Sequence, residues 1–302
     1  EYKGTIGEDK RYEISLLKGK HKLIFIRENS PAKEMEIITR PGVERKIKIK
    51  MRGGVFYVDL QINSFPEKMK VWIDGKEYGS TPLKAEKITS GEHTIMYENT
   101  SGNKWEERLI VNKEGIYKLY GVEQYEDNFV RINKEFWNVI TREKGLKLQV
   151  GKKMLSIIGK SRDGVWNPNG LISREFKAGD LKLETEFKID GNNYFTVIGL
   201  IDENGEGFGL GIDDKYFQYY ETGKEPESYV PAIKLRSKKA KHKLEIKYSN
   251  SKVTITVDDL IIVENKEKEL AERVRVMILA DSIQPNSPTK FQVLSFLLKN
   301  EF

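Results

Sequence analysis

The stretch Val71 to Leu83, V-W-I-D-G-K-E-Y-G-S-T-P-L, leaves room only for short strands. Val71, Trp72 and Ile73 are strand formers, and Asp74-Gly75 is the kind of pair that tolerates positive φ in a tight hairpin. Gly79, Ser80, Thr81 and Pro82 make a second turn, where proline fixes φ and glycine removes the Cβ penalty. Between the two turns fits one short strand, Lys76 to Tyr78, and nothing helical. Ser90-Gly91-Glu92-His93 then breaks the chain again before the apolar alternation Thr94-Ile95-Met96-Tyr97.

This order of turns resembles the PEGA domain, a small β-sandwich. The residues that carry the likeness are I-D-G-K at Ile73–Lys76, S-T-P-L at Ser80–Leu83 and S-G-E-H at Ser90–His93, within Gly53 to Tyr120. The resemblance implies a binding or spacer module on the outer face of a cell, and no catalysis. A second, N-terminally cut copy precedes it. Gly19-Lys20-His21-Lys22-Leu23-Ile24-Phe25 aligns with Gly91-Glu92-His93-Thr94-Ile95-Met96-Tyr97, an offset of 72 residues (91 − 19). Each copy then passes a polar turn into an alternating strand, Glu34–Thr39 or Glu106–Val111, and closes on a last strand, Arg45–Lys50 or Ile116–Tyr120. A repeated small β-unit accounts for this spacing.

At 302 residues, two or three domains are expected. Lys and Glu dominate the 32% charged content and cysteine is absent, a composition found in heat-adapted proteins. Without cysteine there is no disulfide, thiolate metal site or cysteine nucleophile. The first 51 residues hold 13 Lys+Arg against 8 Asp+Glu, so they carry +5 of the net +6. The nearly neutral remainder argues against a nucleic-acid partner, which needs basic residues clustered with aromatics. No apolar run approaches the ~20 residues that span a bilayer. The chain begins at Glu1 in mid-pattern with no signal peptide, so any membrane contact is expected only through segments outside these residues.

Gly121 to Asn128, G-V-E-Q-Y-E-D-N, reads as a polar linker. From Phe129 onward turns and strands alternate at the spacing of a β-sandwich or jelly roll. Glu267–Arg273 is the one place where a helical turn is expected, and Asn133–Val139 fits either state. Gly170–Ser173, Phe176–Leu181, L-E-T-E-F-K-I at Leu183–Ile189, His242–Ile246 and V-T-I-T-V-D-D at Val253–Asp259 resemble concanavalin-like jelly rolls of the laminin-G-like and sugar-hydrolase-like groups. The expected fold is all-β. It comprises a partial PEGA-like module at 1–51, a PEGA-like module at 52–122 and a jelly-roll β-sandwich at 123–302.

Alternation puts Glu184, Glu186, Lys188 and Asp190 on one strand face. Glycosidases need two carboxylates flanking the scissile bond, about 5–5.5 Å apart when retaining. Family-16-like glucanases resemble this strand but carry Glu-x-Asp-x-x-Glu, whereas here the central Asp is missing and Lys188 follows. The chain is therefore expected not to be an enzyme, with a hydrolase using Glu184 and Glu186 as the alternative. His21 and His93 occupy one slot of the repeat and His242 opens a strand, so packing or turn roles explain them. Asp202, Asn204 and Asp213 lie in hairpin-like runs and offer oxygen ligands. Calcium is thus the one cofactor open to the chain, although no run has EF-hand spacing.

Aromatic residues point to a ligand. Trp166-Asn167-Pro168-Asn169 lies in a loop, and Tyr216, Gln218 and Tyr220 share one strand face opposite Phe217 and Tyr219. Sugar rings stack on exposed aromatic faces and hydrogen-bond to nearby amides. Trp166, Asn167, Asn169, Tyr216, Gln218 and Tyr220 are the expected binding residues, for carbohydrate or cell-wall glycan. The protein is expected to be an extracellular or cell-surface binding protein or sensor ectodomain. The other non-catalytic alternative is a structural adhesion protein that contacts another surface protein.

Overall fold

The computed structural model describes residues 16, 19–27, 30–40, 42, 47, 49, 55–160, 166–191, 194–213, 215–223, 232–234, 241–282, 286 and 288–302. Among these no residue is helical, as the all-β reading requires.

A first hairpin consists of β1 (Gly19–Arg27) and β2 (Ser30–Thr39). A compact module follows, with β3 (Tyr57–Phe65), β4 (Lys70–Ile73), β5 (Lys76–Ser80), β6 (Leu83–Thr89), β7 (Gly91–Glu98), β8 (Lys104–Val111) and β9 (Ile116–Val122). Its three-stranded sheet has the order β6-β3-β9 and its four-stranded sheet β5-β4-β7-β8. Between them lie Leu60, Ile62, Val71, Ile73, Ile95, Tyr97 and Leu119. Asp74 (φ 52°) and Gly75 (φ 76°) form the β4–β5 turn, with positive φ at both central positions as a hairpin of primed type requires. His93 locks this corner. Its Nδ1 lies 2.7 Å from Asp74 Oδ2 and its Nε2 2.8 Å from Thr89 O, while Asp74 Oδ1 accepts the Thr94 amide. His242 repeats the device with Asp258, whose other oxygen accepts the Lys243 amide. Histidine serves turns in both places.

The first hairpin pairs Gly19 with Thr39 and His21 with Ile37, and the module pairs Gly91 with Val111 and His93 with Leu109. Adding 72 to the first register gives the second, so the two hairpins are built alike. The expected strand Arg45–Lys50 lies largely outside the described residues. Lys113 reaches Glu34 at 2.8 Å, joining hairpin and module.

The remaining strands are β10 (Gln124–Asp127), β11 (Trp137–Thr141), β12 (Leu146–Val150), β13 (Leu155–Lys160), β14 (Asn169–Ser173), β15 (Phe176–Lys177), β16 (Asp180–Gly191), β17 (Tyr194–Asp202), β18 (Gly207–Asp213) and β19 (Tyr216–Glu221). Then come β20 (Ala232–Lys234), β21 (Lys241–Ser249), β22 (Lys252–Val257), β23 (Leu260–Glu267), β24 (Arg273–Ser282) and β25 (Pro288–Glu301). They form two eight-stranded sheets. Sheet I runs β12-β13-β25-β16-β21-β22-β23 with β10 on β25, and sheet II runs β11-β14-β24-β17-β18-β19-β20 with β15 on β24. Leu183, Phe187, Ile246, Phe291 and Val293 of sheet I meet Ile198, Leu200, Phe208, Leu210 and Ile278 of sheet II in one core. Phe217 and Tyr219 enter this core, so Tyr216, Gln218 and Tyr220 face outward.

Two local expectations are corrected. Glu267–Arg273 has no helical turn, because its amides look outward: Lys268 N donates to Ser251 O, Leu270 N to Tyr248 Oη and Ala271 N to Asp202 Oδ2. Nor is Gly121–Asn128 a linker. β9 runs through a bend at Glu123 into β10, which pairs with β25. Val122 and Tyr125 are buried in the jelly-roll core, and Phe65 of the middle module packs edge-on against Tyr125 and Phe136, at 5.2 Å each. Asn300 donates to Val122 O and accepts the Gly179 amide. Trp105 stacks between Tyr97 and Phe302. Beside it Tyr97 Oη donates to Glu107 at 2.7 Å, and Glu107 pairs with Arg273, whose Nε donates to Glu175 at 3.0 Å.

Candidate functional site on the outer face of sheet II

The outer face of sheet II is ordered by its register. One row across the strands reads Ile172, Met277, Gly199, Gly209, Tyr220, and the next reads Gly170, Leu279, Val197, Gly211, Gln218. A third joins Asp281, Phe195 and Asp213, and a row on the other side joins Arg275, Ile201 and Gly207. Neighbouring rows are about 7 Å apart along the strands and neighbouring positions about 4.8 Å apart across them. Phe195, Val197 and Met277 form a small apolar cluster of their own on this face, flanked by Ile172, Ile201, Tyr220 and Leu279.

Glycines set the floor. A Cβ on Gly209 would sit 2.3 Å from Ile198 O and 2.7 Å from Gly199 Cα, and one on Gly199 would sit 2.0 Å from Phe208 O. The strands therefore approach too closely for any side chain in mid-row. Gly209→Ala should destabilise the protein by about 1–3 kcal/mol through forced backbone shifts, measured as a lowered melting temperature. A melting curve unchanged from that of the native chain would show that the floor can relax.

Aromatic rings wall the strip. Trp166 meets Phe195 edge-on at 5.3 Å, and Phe195 meets Tyr220 at 6.2 Å. Trp166 is 41% exposed, Tyr216 40%, and burial raises the Tyr220 phenol pKa above its ordinary value. Gln218 Nε2 donates weakly to Asp213 Oδ2 at 3.4 Å. Asn167 N donates to the fully buried Asp281 carboxylate, which ties the Trp166 loop to β24.

Of the six expected binding residues, Trp166, Tyr216, Gln218 and Tyr220 thus bear on this face, and Asn167 anchors its edge through the backbone. Asn169 does not join them. It is buried, its Oδ1 accepts the Arg142 and Glu143 amides, and its Nδ2 donates to Glu143 O and Leu146 O, so no polar capacity is left for a ligand. Phe195, Asp281 and Arg275 were missed. Their signal was faint, although G-F-G-L-G at Gly207–Gly211 does announce a glycine face by its period of two.

The outer face of sheet I is of another kind. Glu184 and Glu186 line an open groove with Glu67, Arg131, Lys134 and Lys243. Glu184 lies 3.3 Å from Lys182 and 3.9 Å from Lys243, and Glu186 lies 3.0 Å from Lys241. Both carboxylates are matched by lysines, with no exposed aromatic ring lining the groove. The oxygen ligands do not converge either. Asp202 accepts the Asn204, Glu206 and Ala271 amides, and Asp213 accepts those of Lys215 and Tyr216. Among the described residues no three acidic or histidine side chains are grouped to hold a metal.

Residues 57–124 match the model of the PEGA domain, as the turns of that segment led one to expect. None of the curated proteins compared matches the chain. Among solved structures it is similar to the Crh5 transglycosylase in complex with NAG, at 13% identity over 60% of this chain and 85% of that one, with a TM-score of 0.48. It is also similar to the laminarinase catalytic domain from Thermotoga maritima, at 12% identity over 59% and 97%, TM-score 0.45. A third neighbour comes from work on endo-acting O-glycanases that members of the human gut microbiota express to initiate mucin breakdown, at 10% identity over 59% and 99%, TM-score 0.47. Such likenesses speak to the jelly-roll fold alone, and the laminin-G likeness finds no support in them. These neighbours are enzymes, so the expectation that this chain is not one is withdrawn. What the chain carries is a match to the PEGA domain at residues 57–124, set against an all-β jelly roll.

Proposed function

We propose that the chain binds carbohydrate on the outer face of sheet II, as the extracytoplasmic part of a surface protein in which PEGA-type modules space or extend the jelly roll. One observation carries this reading: Trp166, Phe195 and Tyr220 form a continuous ring wall beside the glycine floor of Gly199, Gly209 and Gly211. An apolar sugar face stacks on such rings, and Gln218 supplies an amide for its hydroxyls. The shared register of the two hairpins supports reading the first as part of a second PEGA-type module. The PEGA match supports a location outside the cytoplasm, and no helix among the described residues is long and apolar enough to cross a membrane.

Trp166→Ala should weaken glycan binding by about tenfold or more, the loss of one stacked ring. Because that side chain is 41% exposed, its removal should cost stability less than about 1 kcal/mol. Tyr220→Ala should weaken binding at least as much. A glycan array, titration of the best hit and a melting curve for each variant measure both effects. Failure of the full chain to retain any glycan would overturn the reading, as would unchanged affinity in both variants.

A further inference from the structure

β24 presents two arginines on the same outer face, Arg273 and Arg275, in very different company. Arg273 is met by Glu107 and Glu175. Arg275 donates one Nη2 bond to the Asp202 carbonyl at 3.3 Å, its Nε is buried with no partner, and it makes no ion pair among the described residues. Of the acids around it, the Asp202 carboxylate holds three amides, Glu175 serves Arg273 and Glu206 is paired with Lys268 at 3.0 Å. Glu203, whose amide donates to Arg273 O, makes no ion pair with Arg275 among the described residues. A guanidinium has five donors in a rigid fork suited to a carboxylate or sulfate, and a half-buried one is poorly served by a single carbonyl.

Arg275 begins the row next to that of Met277, Gly199, Gly209 and Tyr220. It stands one row, about 7 Å, and three strands, about 14 Å, from the tyrosine. That is the reach of a short oligosaccharide lying across the glycine floor. We propose that Arg275 makes this face selective for acidic glycans, saccharides whose carboxylate or sulfate oxygens accept its free N–H donors. This inference rests on the carbohydrate-binding reading above.

Titration of the full chain at low salt with neutral β-glucan, polyuronate and sulfated oligosaccharides of equal length tests it. At least one acidic series should bind about tenfold tighter than the neutral one, ~1.4 kcal/mol. The difference between polyuronate and sulfated series tells which anion is read. Arg275→Gln should bring acidic and neutral affinities within about twofold of each other, and Arg275→Lys, which keeps the charge but loses the fork, should retain part of the preference. Lys243→Gln removes the same charge from sheet I and should leave the preference intact. Neutral binding with no acidic preference overturns this inference while the carbohydrate reading stands. A preference that survives in Arg275→Gln, or falls equally in Lys243→Gln, overturns it in favour of general attraction to a basic protein. Binding to none of the three series overturns both.

Discussion

Glu107→Ala is expected to destabilise the protein by about 3–5 kcal/mol, because it strips the partner from a guanidinium held at the junction of two units. The Glu107 side chain is 1% exposed and that of Arg273 18%. Burial, with Glu107 beside it, holds the Tyr97 phenol well above its ordinary pKa. Burial also disfavours the charged form of Arg273, but Glu107 and Glu175 outweigh it and raise the Arg273 pKa. Without Glu107, Tyr97 loses its acceptor and Arg273 keeps only Glu175. Removing both charges should be milder: in Glu107→Leu/Arg273→Leu the buried pair becomes apolar contact, and most of the loss should return. Chemical denaturation of both single variants and the double variant checks this. A loss under about 1 kcal/mol for Glu107→Ala, or a double variant no more stable than either single one, would show that the pair is incidental.

The second large effect is expected at Phe136. This fully buried ring stacks on Tyr125 at 3.6 Å and meets Trp137 and Phe65 edge-on. Phe136→Ala should cost about 3–5 kcal/mol through lost transfer energy and the cavity left behind. Because Phe65 belongs to the PEGA domain, the loss should be felt there too. Hydrogen exchange of β3 and β9 should accelerate together with that of β10 and β25. Faster exchange confined to the jelly roll would mean that the two units open independently.

Much of this fold lies in short-range chemistry that a sequence displays. The Asp74-Gly75 turn, the hairpin offset and the two faces of Tyr216–Glu221 follow from residue type and a period of two, and the structure agrees with each. The junction was hidden by one bend. Val122 and Tyr125 are three residues apart and so violate strand alternation, yet the bend at Glu123 turns both inward and leaves Gln124 and Glu126 in water. Polar composition then passes for a linker. Asn169 was misjudged because its partners, the Arg142 and Glu143 amides, lie 27 and 26 residues away. The glycine floor had a local signal, but Arg275 joins it only through the pairing of β17 with β24, where its partner Ile201 lies 74 residues away (275 − 201). Long-range register is what a chain read in order does not reveal.

The place of β25 has a consequence for how the polypeptide reaches this state. The strand follows all its partners in the chain, yet it lies between β13 and β16 and also holds β10. Until it arrives, β13 and β16 each present an unpaired edge, and the stripe of Phe291, Val293, Phe296 and Leu298 that completes the core is missing. During synthesis, therefore, strands β3 to β9 can close on themselves early, while some 160 residues behind them wait as an open-edged, half-filled sandwich. Such edges pair readily with other chains. Nascent molecules stalled before β25 would be the aggregation-prone species, and the charged outer face of sheet I, with its alternating Lys and Glu, is what would keep them apart.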